Sequence, residues 1–218
     1  MNIRHFSFNP YQTNCFVAWE EEGTCIVVDP SFRSGAESDR FMAALEQLGT
    51  RPAAVLLTHG HTDHICGVGE LQEKFGCPVH MSSADIPVCE IALPGFTQPD
   101  KGFSTTDISD GETITAAGLG FKVITTPGHT PGSVCYLNEK YGVMFTGDTL
   151  FAGSIGRTDL PMGEYDDLIR SIMDKLMGLD GDTDILPGHG GRSSIGWERT
   201  HNPFLEPFNE KEEEYNPE

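Results

Sequence analysis

At 218 residues, with 38% hydrophobic side chains, the chain is long enough for a sizeable core and too apolar to stay disordered. Its formal net charge of −19 repels phosphate backbones and anionic lipid, which argues against nucleic acid and membrane surfaces as partners. No apolar run reaches the ~18 residues of a membrane span, and the first ten residues, MNIRHFSFNP, contain no continuous apolar run of a secretory signal.

In chain order, NCFVAWEEEGTCIVVDP (14–30) reads as two strands around a turn at Glu22-Gly23, ending at Asp29. Residues 37–48 place Phe41, Met42, Ala44, Leu45 and Leu48 on one helical face. AVLLTHGHT (54–62) is an apolar strand that runs into histidines. A helix is expected over 66–75, stopping at Gly76. Residues 84–110, with LPGFTQPDKGF, read as a long loop or short helices. FKVITTPGHT (121–130) is a second strand running into a histidine, and VCYLNEKYGVMFTGDTL (134–150) is a second hairpin ending at an Asp. Together these suggest a weak internal duplication, with hairpin and His-strand in a different order in the two halves. EYDDLIRSIMDKLM (164–177) carries apolar residues at 165, 168, 169, 172, 173 and 176, one face of a helix. Strands alternating with helices predict α/β layers, and no linker or low-complexity stretch divides residues 1–218, so one domain is expected. Residues 206–218 hold six Glu against one Lys and read as a solvated acidic tail. The six cysteines contain no CxxC pair and read as reduced, mostly buried thiols, which places the chain in the cytoplasm.

Four strand ends carry the chemistry. LLTHGHTDH brings His59, His61, Asp63 and His64 together just past an apolar strand. His129 follows in PGH, Asp148 in TGD and His189 in LPGH. Imidazole and carboxylate are ligands for zinc and similar divalent ions. Burying seven such groups unpaired would cost several kcal/mol apiece, a cost that a metal removes.

H-x-H-x-D-H at 59–64, followed by His129, Gly147-Asp148 and the late Pro187-Gly188-His189, resembles the metallo-β-lactamase superfamily over residues ~14–200. Within it, SIGRTDLPMG (154–163) and RTHNPFL (199–205) are similar to the small glyoxalase II-like hydrolases. The resemblance implies a four-layer αβ/βα sandwich, two mixed sheets with helices on the outer faces and the metals at one edge between the sheets. It implies two divalent ions per chain, zinc first, with iron or manganese as alternatives. His59, His61 and His129 would bind one, Asp63, His64 and His189 the other, and Asp148 would bridge them. The implied activity is hydrolysis of a small thioester of the S-lactoylglutathione kind by a metal-bridging hydroxide, with Asp63 also orienting the nucleophile. Secreted β-lactamases lack the bridging Asp, flavodiiron proteins carry a carboxylate where His61 stands, and the nucleic-acid-processing branch needs an extra domain. Full-length glyoxalase II enzymes carry a basic C-terminal extension that holds glutathione, where this sequence has an acidic tail. Two other readings stand beside this one: a mononuclear iron persulfide dioxygenase, and a non-catalytic metal-bound scaffold.

Further expectations concern single residues. Asp29 is expected to orient a ligand histidine rather than only start an Asp-Pro turn. Arg157 and Asp159 are expected to form an internal ion pair that holds their loop over the site; contact with an anionic substrate is the alternative. Thr58 and Thr130 are hydrogen-bonders near the site or turn formers. Cys66 reads as a packed helix residue, and His5, His80 and His201 as structural or exposed.

Overall fold

The computed structural model describes residues 1–20, 22–96 and 102–208. Residues 209–218 of the expected acidic tail and 97–101 of the expected long loop lie outside the described residues. Leu205, just before the tail's expected start at 206, is buried, and Pro203–Phe208 forms a 3₁₀ turn that takes in residues 206–208.

Two sheets form the frame. The first contains β1 (Asn2–Phe8), β2 (Thr13–Trp19), β3 (Gly23–Val28), β4 (Thr50–Leu56) and β5 (Val79–His80), in that order. Its β1, β2 and β3 are antiparallel neighbours, while β4 runs parallel to β3 and β5 parallel to β4. The second contains β6 (Thr113–Ala116), β7 (Leu119–Thr125), β8 (Val134–Asn138) and β9 (Val143–Gly147) as an antiparallel meander. A small hairpin follows, β10 (Leu150–Phe151) with β11 (Ser154–Ile155). The second sheet is completed by β12 (Asp184–Pro187), parallel to β9, and by β13 (Ser193–Ser194), antiparallel to β12. Helices α1 (Ala36–Gln47), α2 (Thr62–Ile65) and α3 (Val68–Phe75) belong to the first half. Helices α4 (Tyr165–Ser171) and α5 (Ile195–His201) belong to the second.

Period-2 alternation places the side chains. Along β2, Cys15 and Val17 face a core shared with Phe41 and Leu45 of α1 and Val68 and Leu71 of α3. Phe16 and Ala18, one step out of phase, face a second core shared with Phe121, Val123, Tyr136 and Phe145 of the other sheet. Along β8 the same alternation sends Tyr136 inward, and Cys135 and Leu137 into a third core with Leu168 of α4, Ile172, Leu176 and Ile195 of α5. Three apolar cores need four layers to enclose them, so the expected αβ/βα sandwich is the fold. Strands buried on both faces explain why VLL and CIVV read as unbroken apolar runs.

Two helices differ from the sequence reading. The helix expected over 66–75 is α3, Val68–Phe75, which stops at a left-handed Gly76 as expected but starts two residues later, after the separate short helix α2. The helix expected over 164–177 is α4 followed by a π-turn at Ile172–Leu176, and Tyr165 at its start is exposed rather than on the buried face.

The duplication is real in form, and its order is corrected. In the first sheet a hairpin, β2–β3, is followed by a parallel strand, β4, with His59 just beyond its end. In the second the hairpin β8–β9 is followed by the parallel strand β12, with His189 just beyond its end. The counterpart of the His59 strand is therefore the His189 strand, not residues 121–130. β7 instead pairs antiparallel with β8 as β1 pairs with β2, so both halves run in the same order.

Candidate metal centre

β3, β4, β9 and β12 run parallel or paired within their sheets, and their C-terminal ends open on one edge. Each strand keeps its last residues rigid and hands the next one to a turn. Asp29 follows β3, Thr58 and His59 follow β4, Asp148 follows β9, and His189 follows β12. α2 then places Asp63 and His64 one turn beyond His61. His129 arrives on the loop between β7 and β8.

These residues come together in three groups: His59 with His61 and His129; His59 with His64 and Asp148; and Asp63 with His64 and His189. Within each group the donor atoms lie within 4.8 Å of one another. Asp148 sits centrally. Its Oδ1 is 3.4 Å from His64 Nε2, and its Oδ2 is 3.5 Å from His129 Nε2 and 3.4 Å from His189 Nε2. Asp63 Oδ2 is 3.4 Å from His189 Nε2.

The outer nitrogens are anchored, which fixes the tautomers. His64 donates from Nδ1 to Asp29 Oδ2 at 2.9 Å, His129 from Nδ1 to the Arg157 carbonyl at 2.7 Å, and His189 from Nδ1 to the Tyr11 carbonyl at 3.1 Å. Thr58 spends its hydroxyl proton on Asp29 Oδ2 at 2.7 Å, so at 3.1 Å it receives the Nδ1–H of His59. Each of these four rings therefore turns Nε2 inward. Asp29, in a left-handed backbone conformation with φ 48, also accepts from the Thr58 amide. The expected orienting role of Asp29 and the hydrogen-bonding role of Thr58 are both seen.

Electrostatics follow the geometry. Burial, reinforced by the neighbouring rings of His64, His129 and His61, holds His59 well below the ordinary imidazole range. Burial beside His129 pushes His61 down to about 4. Burial also opposes a proton on His64, but the carboxylates of Asp63, Asp148 and Asp29 outweigh it and hold His64 well up. His189 is raised to about 9, burial being outweighed chiefly by Asp148. Asp148 is held well below the carboxylate range: His64 and His189 overcome its own burial.

Two expectations need correction or refinement. Arg157 and Asp159 do pair, in bidentate fashion at 2.7 Å twice, but their side chains are 61% and 69% exposed. The pair is a surface clasp, and an exposed pair is screened by water. What Arg157 gives the site is its backbone carbonyl. Arg157→Ala is therefore expected to leave the melting temperature unchanged in differential scanning fluorimetry; a large drop would restore the internal pair. Thr130 is not a turn former alone, since its hydroxyl donates to Asp85.

Cys66 packs as expected, its thiol hydrogen-bonding the Thr62 carbonyl and burial pushing it up to about 12. His5 bonds Asn14 and stacks on Phe16, and His201 stacks on Trp197; neither these nor His80 reach the cluster. Three residues at the site escape the sequence reading. Thr13 donates to Asp63 Oδ2 at 2.8 Å. Asn14 ties down the carbonyls of Pro187 and Gly190, on either side of His189. Asp85 accepts from three groups of the histidine loops. None stands at a motif position, and their partners lie 25 to 176 residues away in sequence, so no local signal marks them.

Residues 8–189 match the model of the metallo-β-lactamase superfamily. The chain belongs to that superfamily. Among curated members, it is 36% identical to hydroxyacylglutathione hydrolase GloC of Haemophilus influenzae, over 94% of this chain and 98% of that one. Among solved structures, it superposes on the BLEG-1 B3 metallo-β-lactamase with a TM-score of 0.86 at 32% identity, covering 94% and 99% of the two chains. It superposes on TTHA1623 in a di-iron-bound form with a TM-score of 0.82 at 32% identity, covering 93% and 100%. As a superfamily member with hydrolase relatives, the chain is a metal-dependent hydrolase with a His/Asp cluster fit for metal. Among its described residues, no helix is long and apolar enough to cross a membrane.

Proposed function

We propose that this chain is a binuclear hydrolase of small thioesters, of the hydroxyacylglutathione kind. The observation that carries the reading is that His59 Nε2, His64 Nε2 and Asp148 Oδ1 are buried with no hydrogen-bond partner among the described residues, at the centre of seven converging donors. Buried polar atoms left without a partner are costly, and a cation that takes the place of protons among them removes that cost. His59, His61 and His129 would hold one divalent ion, Asp63, His64 and His189 the other, and Asp148 both. Zinc suits this imidazole and carboxylate set, and iron and manganese suit it too. Such ions, when bound, supply Lewis acidity, which lowers the pKa of a shared water and draws charge from a carbonyl.

The chain's own residues do the rest. Thr13 fixes one oxygen of Asp63, which aims the carboxylate at the space between the histidines and lets it orient the attacking water. Asp29, Thr58 and the Arg157 and Tyr11 carbonyls keep the rings from rotating, so little reorganisation accompanies the reaction. His189 is 29% exposed, against 0–11% for His64, His129, Asp63 and Asp148, so substrate approaches along the His189 side. A thiol leaving group, with a pKa of about 8.5, departs without a strong acid. Residues 1–218 are read as one domain, supported by a site drawn from both sheets. Six unpaired thiols support a reducing compartment, the cytoplasm.

The test is elemental analysis together with a substrate panel. We expect two ions per chain and hydrolysis of S-lactoylglutathione with a KM near or above ~1 mM, the upper end for enzymes. The reason is charge: glutathione is anionic, and the chain carries a net −19. Contacts equal in ground and transition states move KM and leave kcat alone. A single iron with oxygen uptake on a persulfide would favour the dioxygenase reading. Turnover confined to β-lactams would replace the thioester, and two ions with no turnover on any substrate would leave the scaffold.

A further inference from the structure

We propose that Asp85 is a positioning residue that sets the spacing of the two histidine loops, and through it the affinity of the first ion site. The inference rests on the binuclear reading above and adds a residue to it.

Asp85 closes a 3₁₀ turn, Ser83–Asp85, just beyond β5, and is fully buried. Its Oδ2 accepts the Gly60 amide at 2.7 Å, between His59 and His61. The same oxygen accepts the Thr130 hydroxyl at 2.8 Å, next to His129, and Oδ1 accepts the Gly132 amide at 2.6 Å. One carboxylate thus staples the loop after β4, on the first sheet, to the loop before β8, on the second.

The approach is close on both sides. A Cβ on Gly60 would lie 2.7 Å from the Asp85 carbonyl oxygen, and one on Gly132 would lie 2.7 Å from Asp85 Oδ1. Glycine at both positions is what lets the carboxylate reach in.

The three side chains of the first ion site are split between these loops, His59 and His61 on one and His129 on the other. The second site is held differently: Asp63 by Thr13, His64 by Asp29, and His189 by the Tyr11 carbonyl. None of those three contacts involves Asp85. Charge points the same way. The first site is three imidazoles with a share of Asp148, so a dication there gains from a buried carboxylate one residue away, whereas the second has Asp63 of its own. Losing Asp85 should therefore weaken one ion and spare the other, an asymmetry that a general loss of stability would not produce.

The test is zinc binding to metal-free protein, measured by competition with a chromophoric chelator. Asp85→Asn keeps the shape, removes the charge, and turns an amide NH2 towards one of the three donors. In D85N one ion is expected to bind about 10–100-fold more weakly, the size of effect typical of groups that orient metal ligands, while the other binds as in wild type. His61→Ala removes a first-site donor directly and defines the signature. The cobalt-substituted spectrum of D85N with one ion should match that of H61A with one ion. If D85N fails to fold, Thr130→Val removes a single donor and should show the same asymmetry, smaller in size. Wild-type affinity for both ions in the folded variants, or equal weakening of both, overturns the proposal. Fewer than two ions on the wild-type chain overturns the binuclear reading itself, and this inference with it.

Discussion

Asp148→Ala removes hydrolysis by at least about a thousand-fold and leaves less than two ions per chain, a loss beyond the 10–100-fold that outer groups cost. Among the described residues, Asp148 is the one carboxylate within 3.5 Å of histidines from three different loops, those of His64, His129 and His189. Its Oδ1 has no other work, being buried without a hydrogen-bond partner among the described residues. Removing it also strips His64 and His189 of the negative charge that steadies them, so the metal-free variant should melt differently from the metal-free wild type. Elemental analysis and thioester kinetics on the same preparation decide the matter. Two tightly held ions with wild-type turnover in the variant would show that Asp148 does not join the two halves of the site.

Gly128→Ala unfolds the protein at a temperature about 10 °C below wild type, from a loss of about 3–5 kcal/mol. Two causes add. The residue has φ 140, which an L side chain rarely adopts, and its new Cβ would lie 2.2 Å from the Leu168 amide nitrogen. Leu168 belongs to α4 and is fully buried in the core beneath the second sheet, so the helix has little room to retreat. The Gly128 carbonyl also accepts the Glu164 amide at 2.7 Å, tying the His129 loop to the start of that helix. Gly153→Ala is the control: φ is 68, but nothing lies within 4 Å of the added Cβ. It should cost about 1 kcal/mol, for the backbone alone. Equal losses in the two variants would mean that the close approach to α4 carries no energy.

The apolar strand ends of VLLTHGHTDH, ITTPGH, MFTGD and ILPGH carried most of the fold and the site in readable form. A strand buried on both faces must be apolar through its length, and a polar residue just past it has nowhere to go but the sheet edge. Composition and spacing therefore point to the ligand types and to their gathering at one edge. Helices with one apolar face, such as 37–48, were legible for the same reason.

What the amino-acid sequence determined by itself was local: the seven donor residues, the two hairpins, the helical faces, and the family pattern that residues 8–189 match. Tertiary structure decided everything that depends on a partner far along the chain. It decided that β12 and not β7 is the counterpart of β4, because a parallel pairing leaves no turn signal between its strands. It decided that the Arg157–Asp159 pair lies in solvent, since two residues apart in sequence says nothing about which side of the loop faces water. It also decided the tautomers and the loop staple, because Thr13, Asn14, Asp29 and Asp85 act through hydrogen bonds to groups 25 to 176 residues away. A hydrogen bond is made by position, and position across that distance exists only once two sheets have packed against each other.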